Sequence, residues 1–554
     1  MGKIIIYQAF CRYFSLRRGL NRQGGSIEQN LCGKFSSFND NFFSHIKSLG
    51  VTHLWLTGII EHASQTPYPE FEIYGDAPSI VKGVAGSPYA IRDYYALSPD
   101  FADDIGNIDS EFSLLLEHIH SNDIKAIIDF VPNHVSRVYH SRKKPLGTID
   151  LGENDDKNTA FSPQNNFYYI PDEKFCSPCG EFDEYPAKVT GNDCFSSAPN
   201  INDWYETVKL NYGVDYLSDR QKHFSVMPQT WLQMLQVLMY WAERGVDGFR
   251  CDMAEMVPVE FWHFAISRVK ERFPNVVFIA EIYNPMVYRS YLEYGGFDFL
   301  YDKVGLYDTL RAVVVSNLPA KEISHCWQLL GDIQPNMLNF LENHDEQRIA
   351  SDFFALNPRL ALPAVVVSAF MNTNPFMIYA GQEFGEKGMD SEGFSGIDGR
   401  SSIFDYWQPE AFTRWIDGGK YGEDKLSLGE RSLLSEYRRI LSIATNNSAI
   451  SEGVFFDLTY ANIENPQFNS ERCFAFFRKY EKRTLLVVAN FSEQPQRLEV
   501  IIPYHAFEFL SLEPKECVAA IDLLECKRYC FDFKPSTPVC ISLECLQSIV
   551  LEFC

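Results

Sequence analysis

Short apolar segments alternate with amphipathic helical segments up to about residue 385, and this alternation constrains the fold more than any other feature. Strands that alternate with crossover helices are typical of a parallel sheet, because each helix returns the chain to the same edge. The candidate strands are residues 4–10, 51–60, 126–131, 246–253, 276–283, 299–304, 337–342 and 376–380. Eight such units close a (β/α)8 barrel, so the sequence predicts an α/β protein of that fold.

Two stretches depart from this alternation. Residues 135–225, after the third strand, are rich in Asn, Asp, Pro, Gly and Tyr, and a loop of this length inside a barrel is usually a functional insertion. From about residue 450, short apolar segments are separated by Pro, Glu and Lys. We therefore predict a barrel domain from residues 1–134 and 226–449, an inserted loop-rich domain at 135–225, and an all-β domain at 450–554.

The chain is acidic, with a formal net charge of -24 and no cluster of Lys or Arg. Because phosphate groups are bound by positive charge, we expect neither nucleic acid nor a membrane surface as a partner. The N-terminal segment lacks the apolar stretch of a signal peptide, and no apolar segment reaches the roughly 20 residues of a membrane span. These observations predict a cytoplasmic protein.

Fourteen cysteines are scattered along the chain without a regular framework. In a reducing compartment they are expected to be free thiols. Cys176 and Cys179 form a CxxC pair, and Cys194 follows. A zinc site needs about four ligands and no second CxxC accompanies this pair, so the spacing disfavours a metal site there.

Ionisable side chains stand at the ends of four candidate strands. They occur in the segments Asp129-Phe-Val-Pro-Asn133-His134, Gly248-Phe-Arg250-Cys-Asp252-Met-Ala-Glu255, Phe278-Ile-Ala-Glu281 and Glu342-Asn343-His344-Asp345. Carboxylates and histidines are costly to bury unless they are paired. The C-terminal ends of barrel strands are where barrel enzymes have their active sites, so these segments predict one site.

In this order, the four segments resemble the signature regions of the α-amylase family of glycoside hydrolases. Two more segments resemble family segments before the third strand and at the eighth strand: Ser87-Pro-Tyr89-Ala-Ile-Arg-Asp93-Tyr94 and Tyr379-Ala-Gly-Gln-Glu383. The resemblance spans about residues 1–450, and residues 450–554 are compatible with the C-terminal β-sandwich of the family. Six matches in order make chance a poor explanation.

The resemblance implies a role for each matching carboxylate. Asp252 matches the nucleophile, Glu281 the general acid/base, and Asp345 the third carboxylate, which holds sugar hydroxyls and supports substrate distortion. Arg250, two residues before Asp252, would keep the nucleophile ionised. A retaining glycosidase needs one carboxylate to attack and one to protonate, about 5–5.5 Å apart, and neighbouring barrel strands can supply that separation.

Four more residues are expected at the substrate. His134 and His344 match histidines that bond sugar hydroxyls, and Tyr89 matches a tyrosine that stacks under the cleaved sugar. Tyr283, two residues after the acid, is expected on the leaving-group side. Structural alternatives stay open for all of them, namely buried ion pairs for the charged residues and core packing for the tyrosines.

The chain departs from the family pattern at two places. Glu255 and Met256 stand where many α-amylases have Lys-His, which puts the usual contacts on the leaving-group side in doubt. Asn200 stands where the family's fifth signature usually has Asp, a calcium ligand in many members, and Asn133 matches another calcium ligand. Because hard cations depend on carboxylate charge, we expect calcium to be weak or absent and no cofactor to be required.

The leading hypothesis is a retaining hydrolase that cleaves α-1,4 bonds of starch-like glucans or maltooligosaccharides through a covalent glycosyl-enzyme. A glucanotransferase, or another α-glucosyl transferase, would share that intermediate. A non-catalytic carbohydrate-binding protein is the third possibility, and the presence of all three carboxylates argues against it. Linkage, chain length and acceptor depend on loop shapes that the sequence does not reveal.

Overall fold

The computed structural model of the protein describes residues 2–393 and 396–553. Its first part is a closed barrel of eight parallel strands, which confirms the predicted fold class. The strands are β1 (Ile5–Phe10), β2 (His53–Thr57), β3 (Lys125–Phe130), β4 (Gly248–Cys251), β5 (Val277–Ala280), β6 (Phe299–Tyr301), β7 (Met337–Phe340) and β8 (Phe376–Tyr379). The barrel closes because β1 pairs with both β2 and β8.

Helices cover the outside of the barrel. The longest one begins after Ser427, whose hydroxyl accepts a hydrogen bond from the backbone N–H of Glu430 while the Glu430 carboxylate accepts one from the N–H of Ser427. This reciprocal cap satisfies two N–H groups that the helix cannot bond itself. The α-helices are Ile27–Asn30, Asp40–Ser48, Ile108–Ser121, Gln229–Glu243, Val259–Arg272, Asp308–Val314, Ile323–Leu330, Leu362–Phe370, Glu410–Ile416, Leu428–Asn446, Ser448–Ser451 and Tyr504–Phe509, with π-helical turns at Ser290–Tyr294 and Lys303–Tyr307.

Between β3 and the helix Gln229–Glu243, the chain forms short antiparallel strand pairs. The pairs are His134–Ser136 with Thr207–Lys209, Tyr169–Ile170 with Ala187–Lys188, and Val214–Asp215 with Gln221–Lys222. A buried ion pair stabilises this segment, since Arg137 donates to Glu184 at 2.7 Å and lies 3.6 Å from the centre of the Phe175 ring. We refer to residues 135–225 as the insert.

The C-terminal residues form antiparallel β-structure, as the sequence predicts. The strands are β9 (Val454–Asp457), β10 (Cys473–Tyr480), β11 (Arg483–Asn490), β12 (Gln496–Ile501), β13 (Lys515–Asp522), β14 (Arg528–Phe533), β15 (Pro538–Leu543) and β16 (Ser548–Phe553). Six of them form one sheet in the order β9-β10-β11-β16-β13-β14, and β12 pairs with β15. Val488, Leu498 and Ile541 share one apolar core, so the two sheets pack face to face.

The other face of β10 and β11 packs on the barrel. Phe476, Leu485 and Val487 belong to the same apolar core as the barrel helices. The barrel helix Leu362–Phe370 is buried at all nine positions because it lies between the barrel strands and this sheet. The barrel and the C-terminal sheet therefore share one core.

The barrel interior is filled by apolar side chains, among them Ile6, Ile127, Ile279 and Met377. Asp252 and Glu281 directly follow two of these strands, which places the candidate site at this end of the barrel. Within the described ranges, no helix combines the length and apolarity that a membrane crossing requires.

The cysteines within the described ranges are free thiols. Cys176 and Cys179 are exposed, and the described residues contain no cluster of three or more His, Cys, Asp or Glu side chains suited to a metal ion. The final cysteine, Cys554, lies outside the described residues.

Candidate active site

The register of β4 against β5 brings the first two predicted carboxylates together. Arg250 lies opposite Ile279 and Cys251 opposite Ala280, so the next residues along the two strands are Asp252 and Glu281. Neighbouring strands are about 4.8 Å apart, and both carboxylates lie at the same end of the barrel. Backbone bonds hold this geometry: the N–H of Glu281 donates to Cys251 at 3.1 Å.

The Arg250 guanidinium joins these two carboxylates. Its Nη1 lies 2.7 Å from Oδ1 of Asp252, and its Nη2 lies 2.8 Å from Oε2 of Glu281. A third carboxylate, Asp129 at the end of β3, lies 3.7 Å from Nη1. Arg250 is 1% exposed. One buried cation therefore orients three buried anions, whose mutual repulsion would otherwise be large.

The two catalytic candidates differ in how their oxygens are used. Glu281 accepts hydrogen bonds on both oxygens, from Tyr283 Oη at 2.5 Å and from the N–H of Met253 at 2.9 Å. Among the described residues, Asp252 accepts one side-chain hydrogen bond, from Arg250, which leaves its second oxygen open to a ligand. Burial raises the pKa of Asp252 above its ordinary value, and the positive charge of Arg250 opposes that rise.

Asp345, the last of the three predicted catalytic carboxylates, belongs to a cluster that follows β7. Asp345 Oδ2 lies 3.1 Å from His344 Nε2, and the same nitrogen lies 2.5 Å from Tyr89 Oη. The rings of Tyr89 and His344 stack at 5.2 Å, and Gln8 on β1 approaches the other ring nitrogen of His344 at 2.8 Å. Desolvation and the charge of Glu281 raise the pKa of Asp345 to about 7.

Burial keeps both predicted histidines neutral. The pKa of His344 is held well below its ordinary value by burial and by the Arg250 charge. The pKa of His134 is lowered to about 3 by burial and by the nearby ammonium group of Lys209. Neutral imidazoles can both donate and accept hydrogen bonds, which suits them to sugar hydroxyls.

The structure brings most of the predicted residues to one cavity of about 210 Å³. Its walls include the predicted residues Tyr89, His134, Asp252, Glu281, Tyr283 and Asp345. Arg250 and His344 lie behind this wall and hold its side chains in place. A cavity lined by a pair of carboxylates and by neutral hydrogen-bonding groups has the chemistry needed to cleave a glycosidic bond.

Comparison with known proteins decides the family. The sequence profile of the α-amylase catalytic domain matches residues 41–421, which is more than half of the chain. The chain belongs to the α-amylase family. It is thus an α-amylase-type glycoside hydrolase, and the predicted enzyme class is confirmed.

Several relatives of this family member cover most of its length. Alpha-amylase 3 of Dictyoglomus thermophilum is 23% identical over 505 residues, which are 88% of this chain and 84% of that protein. A cyclomaltodextrinase of Thermoanaerobacter pseudethanolicus is 22% identical over 459 residues, covering 82% of this chain and 62% of that protein. The maltogenic α-amylase AmyB of Thermotoga neapolitana shares the fold with a TM-score of 0.65 at 19% identity, covering 99% of this chain and 98% of that chain.

Several residues that line the cavity were not predicted from the sequence. They are Lys82, Ser87, Trp204, Glu206, Thr207, Met253, Ile403 and Phe404. The insert supplies Trp204, whose ring lies 5.2 Å from that of His134, and Glu206, which pairs with Lys82 at 3.0 Å. Trp204 could have been predicted at the site, because it is an aromatic residue that closely follows the segment Ala198–Asn202. No local signal marks Phe404, because only the fold brings its loop to the site.

Two departures from the family pattern can now be located. Glu255 accepts a hydrogen bond from the N–H of Asn284 at 3.1 Å, beside the turn that follows Tyr283. Asn133 is buried, whereas Asn200 is exposed and bonds to Asp203. The two asparagines share no hydrogen-bonding partner among the described residues, and the side-chain oxygen of Asn133 accepts from the ammonium group of Lys209 at 2.8 Å. This arrangement does not fit a calcium ion.

Proposed function

We propose that the protein is a retaining hydrolase that cleaves α-1,4-glucosidic bonds of starch-like glucans or maltooligosaccharides. The observation that carries the proposal is the Arg250 guanidinium, which holds Asp252 on one amino group and Glu281 on the other. The two carboxylates then differ, because one keeps an open oxygen and the other is fully hydrogen-bonded. The open oxygen suits Asp252 to attack, and the position of Glu281 on the neighbouring strand suits it to transfer protons.

In the first step, the open oxygen of Asp252 forms a bond to the anomeric carbon. The bond between that carbon and the glycosidic oxygen breaks, and Glu281 donates its proton to the departing oxygen. Arg250 stays charged throughout and orients the attacking carboxylate. In the second step, Glu281 takes a proton from water as the water oxygen attacks the same carbon and releases Asp252.

The substrate sugar would lie among Tyr89, His134 and Asp345, which line the cavity. The tyrosine ring offers a face for stacking, and the neutral histidine and the carboxylate offer partners for hydroxyl groups. Tyr283, bonded to Glu281, lies where the leaving group would depart. If Asp345 is ionised, these contacts would be strongest with the flattened, cation-like sugar of the transition state. That preference would lower the activation barrier.

A second candidate function is glucosyl transfer. Relatives with transferase names occur, including an α-1,4-glucan:maltose-1-phosphate maltosyltransferase of Rhodospirillum rubrum that is 44% identical over only 55 residues. Tyr283 gives an acceptor sugar an aromatic surface beside the acid/base. Hydrolysis and transfer share the Asp252 ester, so only the acceptor distinguishes them.

Product analysis on maltoheptaose tests the proposal. We expect shorter products only, a matching rise in reducing ends, and retention of the α-anomer in the first product. Products both longer and shorter than maltoheptaose, with constant reducing ends, would identify a transferase. A first product of β-configuration would exclude the covalent ester at Asp252. The Asp252→Asn variant controls for contaminating activity.

A further inference from the structure

A buried lysine lies where the insert meets the barrel. Lys209 is 1% exposed, and its Nζ lies 2.8 Å from Asn133 Oδ1 and 2.6 Å from Asp193 Oδ1. The same nitrogen lies 4.9 Å from the centre of the Tyr216 ring. An ammonium group has three N–H donors, and here it meets an amide oxygen, a carboxylate and an aromatic face. The buried charge therefore has an amide oxygen, a carboxylate and an aromatic ring around it.

These contacts join three separate parts of the chain. Asn133 follows barrel strand β3, Lys209 lies on the strand that pairs with His134–Ser136, and Asp193 lies in a loop of the insert. The Asn133 amide also donates to the backbone oxygen of Gly191 at 2.8 Å. One amide thus binds the lysine through its oxygen and the loop through its nitrogen.

The loop that contains Gly191 packs so closely against Thr207 and His134 that a side chain at Gly191 would have no space. A Cβ atom there would lie 2.5 Å from Thr207 Oγ1 and 2.9 Å from the Cβ of His134. Both distances are shorter than van der Waals contact, so the loop packs backbone-first against the wall of the active site. Whatever holds Gly191 and Asp193 in place also holds His134 and Thr207.

A calcium ion fits this cluster poorly. Calcium takes 6–8 oxygen ligands at about 2.3–2.6 Å, and several are usually carboxylates. Here the oxygens of Asn133 and Asp193 converge on a nitrogen, and within the described residues Asp193 is the one carboxylate in contact with it. A single positive charge matches a single negative charge, whereas a divalent ion beside Lys209 would be repelled.

We propose that the ammonium group of Lys209 is the resident cation of this junction, in the place where the family resemblance implies a metal ion. It fastens the insert to the barrel through Asn133 and Asp193, and it makes the fold independent of calcium. Lys209 is a positioning residue, because its side chain does not line the cavity, whereas its strand pairs with His134 and carries Thr207, which both do.

The first test uses the wild-type protein. Its melting temperature is measured after dialysis against EDTA and again with added calcium chloride, and we expect the two values to agree within about 1 °C. A fall of several degrees in EDTA that calcium restores would overturn the proposal. This measurement needs no variant, and it does not depend on the identity of the substrate.

The second test removes the charge. Lys209→Met keeps the length of the side chain, and we expect a melting temperature lower by about 5 °C, because Asp193 and Asn133 lose their partner. The matched control is Lys188→Met, since Lys188 also lies in the insert, beside Glu184 and over the Phe167 ring, yet does not contact the junction. An equal fall in melting temperature in Lys209→Met and Lys188→Met would contradict a special role for Lys209.

The third test asks whether a free cation can replace the side chain. In Lys209→Ala, ethylammonium should restore a large part of the lost melting temperature, whereas tetramethylammonium at the same concentration should not, because it cannot donate hydrogen bonds. kcat/KM on a maltooligosaccharide should recover in parallel. Equal effects of the two ions would reduce the role of Lys209 to general ionic strength and would overturn the proposal.

Discussion

Arg250 and Arg478 are both almost completely buried, and their surroundings are opposite. Arg250, at the catalytic end of the barrel, contacts the carboxylates of Asp252, Glu281 and Asp129. Arg478, between the barrel and the C-terminal sheet, donates instead to four backbone oxygens at 2.7–3.0 Å. These oxygens belong to Met371, Ala449, Ile450 and Gly453, at the ends of the helices Leu362–Phe370 and Ser448–Ser451.

The difference shows what each site can do. Carbonyl groups at helix ends lack partners within the helix, so a guanidinium that satisfies them stabilises the packing of those helices. Such partners cannot gain or lose a proton. Carboxylates can, and a cation placed among them sets which one stays ionised. The surroundings of Arg250 therefore support chemistry, whereas those of Arg478 only join two parts of the fold.

The largest effect is expected at Asp252. Asp252→Asn keeps the shape of the side chain but cannot form the glycosyl ester at a useful rate, so kcat on maltoheptaose should fall at least about 10⁴-fold. The melting temperature should stay close to that of the wild type. Turnover near the wild-type rate, in a preparation that mass spectrometry shows to be free of deamidated protein, would remove Asp252 from the nucleophile role.

A smaller and selective effect is expected at Glu281. Glu281→Gln should slow maltooligosaccharide cleavage by about 10²–10⁴-fold, because the leaving oxygen then receives no proton. An aryl α-glucoside with an acidic phenol needs little protonation, so its glycosylation step should be slowed much less. Equal losses for both substrates in single-turnover measurements would show that Glu281 is not the acid.

At Arg478 the comparison predicts a loss of stability without a loss of chemistry. Arg478→Met leaves buried carbonyl groups unsatisfied, and the melting temperature should fall by about 5 °C, while kcat per folded molecule stays within about twofold. Arg439→Met is a suitable control, because exposed Arg439 bonds the carbonyl of Leu524 across the same junction. A kcat that falls with Arg478→Met in fully folded protein would contradict the division of roles.

The smallest effect concerns pH. Burial raises the pKa of Asp129 from 3.8 to about 6. The protonated carboxyl group of Asp129 therefore contributes fully to the free energy of unfolding below pH 3.8, and this contribution is lost as the pH rises through 6. Asn does not titrate. The melting temperature of Asp129→Asn, relative to the wild type, should therefore rise by about 2 °C between pH 4 and pH 7.

The same pH series on Arg478→Met supplies the contrast. Its deficit in melting temperature should be the same at pH 4 and pH 7, since its carbonyl partners carry no titratable proton. A difference in melting temperature that is constant with pH for Asp129→Asn, or one that varies with pH for Arg478→Met, would show that the surroundings of Arg250 and Arg478 do not differ in this respect.

The barrel and the positions of the candidate carboxylates could be predicted because their signals are local. Apolar segments mark the strands, and Asp252 and Glu281 follow two of them directly. The register that sets Arg250 opposite Ile279 is not visible in the sequence, since pairing depends on how the whole barrel closes. The contacts of Arg250 with both carboxylates follow from that register, so they could not be predicted from the sequence.

The insert was predicted less well for a physical reason. Its short strands have two or three residues, too few for a periodic pattern to show. Its contribution to the site comes from contacts across large sequence separations, such as Lys82 with Glu206 and Lys209 with Asn133. The sequence located the departures at Asn133 and Asn200 but gave no sign that a lysine would lie between the insert and the barrel.

The burial of the helix Leu362–Phe370 has a consequence for synthesis of the protein on the ribosome. Strands β10 and β11, which cover its outer face, begin about 100 residues later in the chain. At about 5–20 residues per second, roughly 5–20 s pass before they are made. During that interval an apolar helix surface of Val, Leu and Phe side chains faces solvent or a chaperone, so translation speed and chaperone capacity bear directly on the yield of folded enzyme.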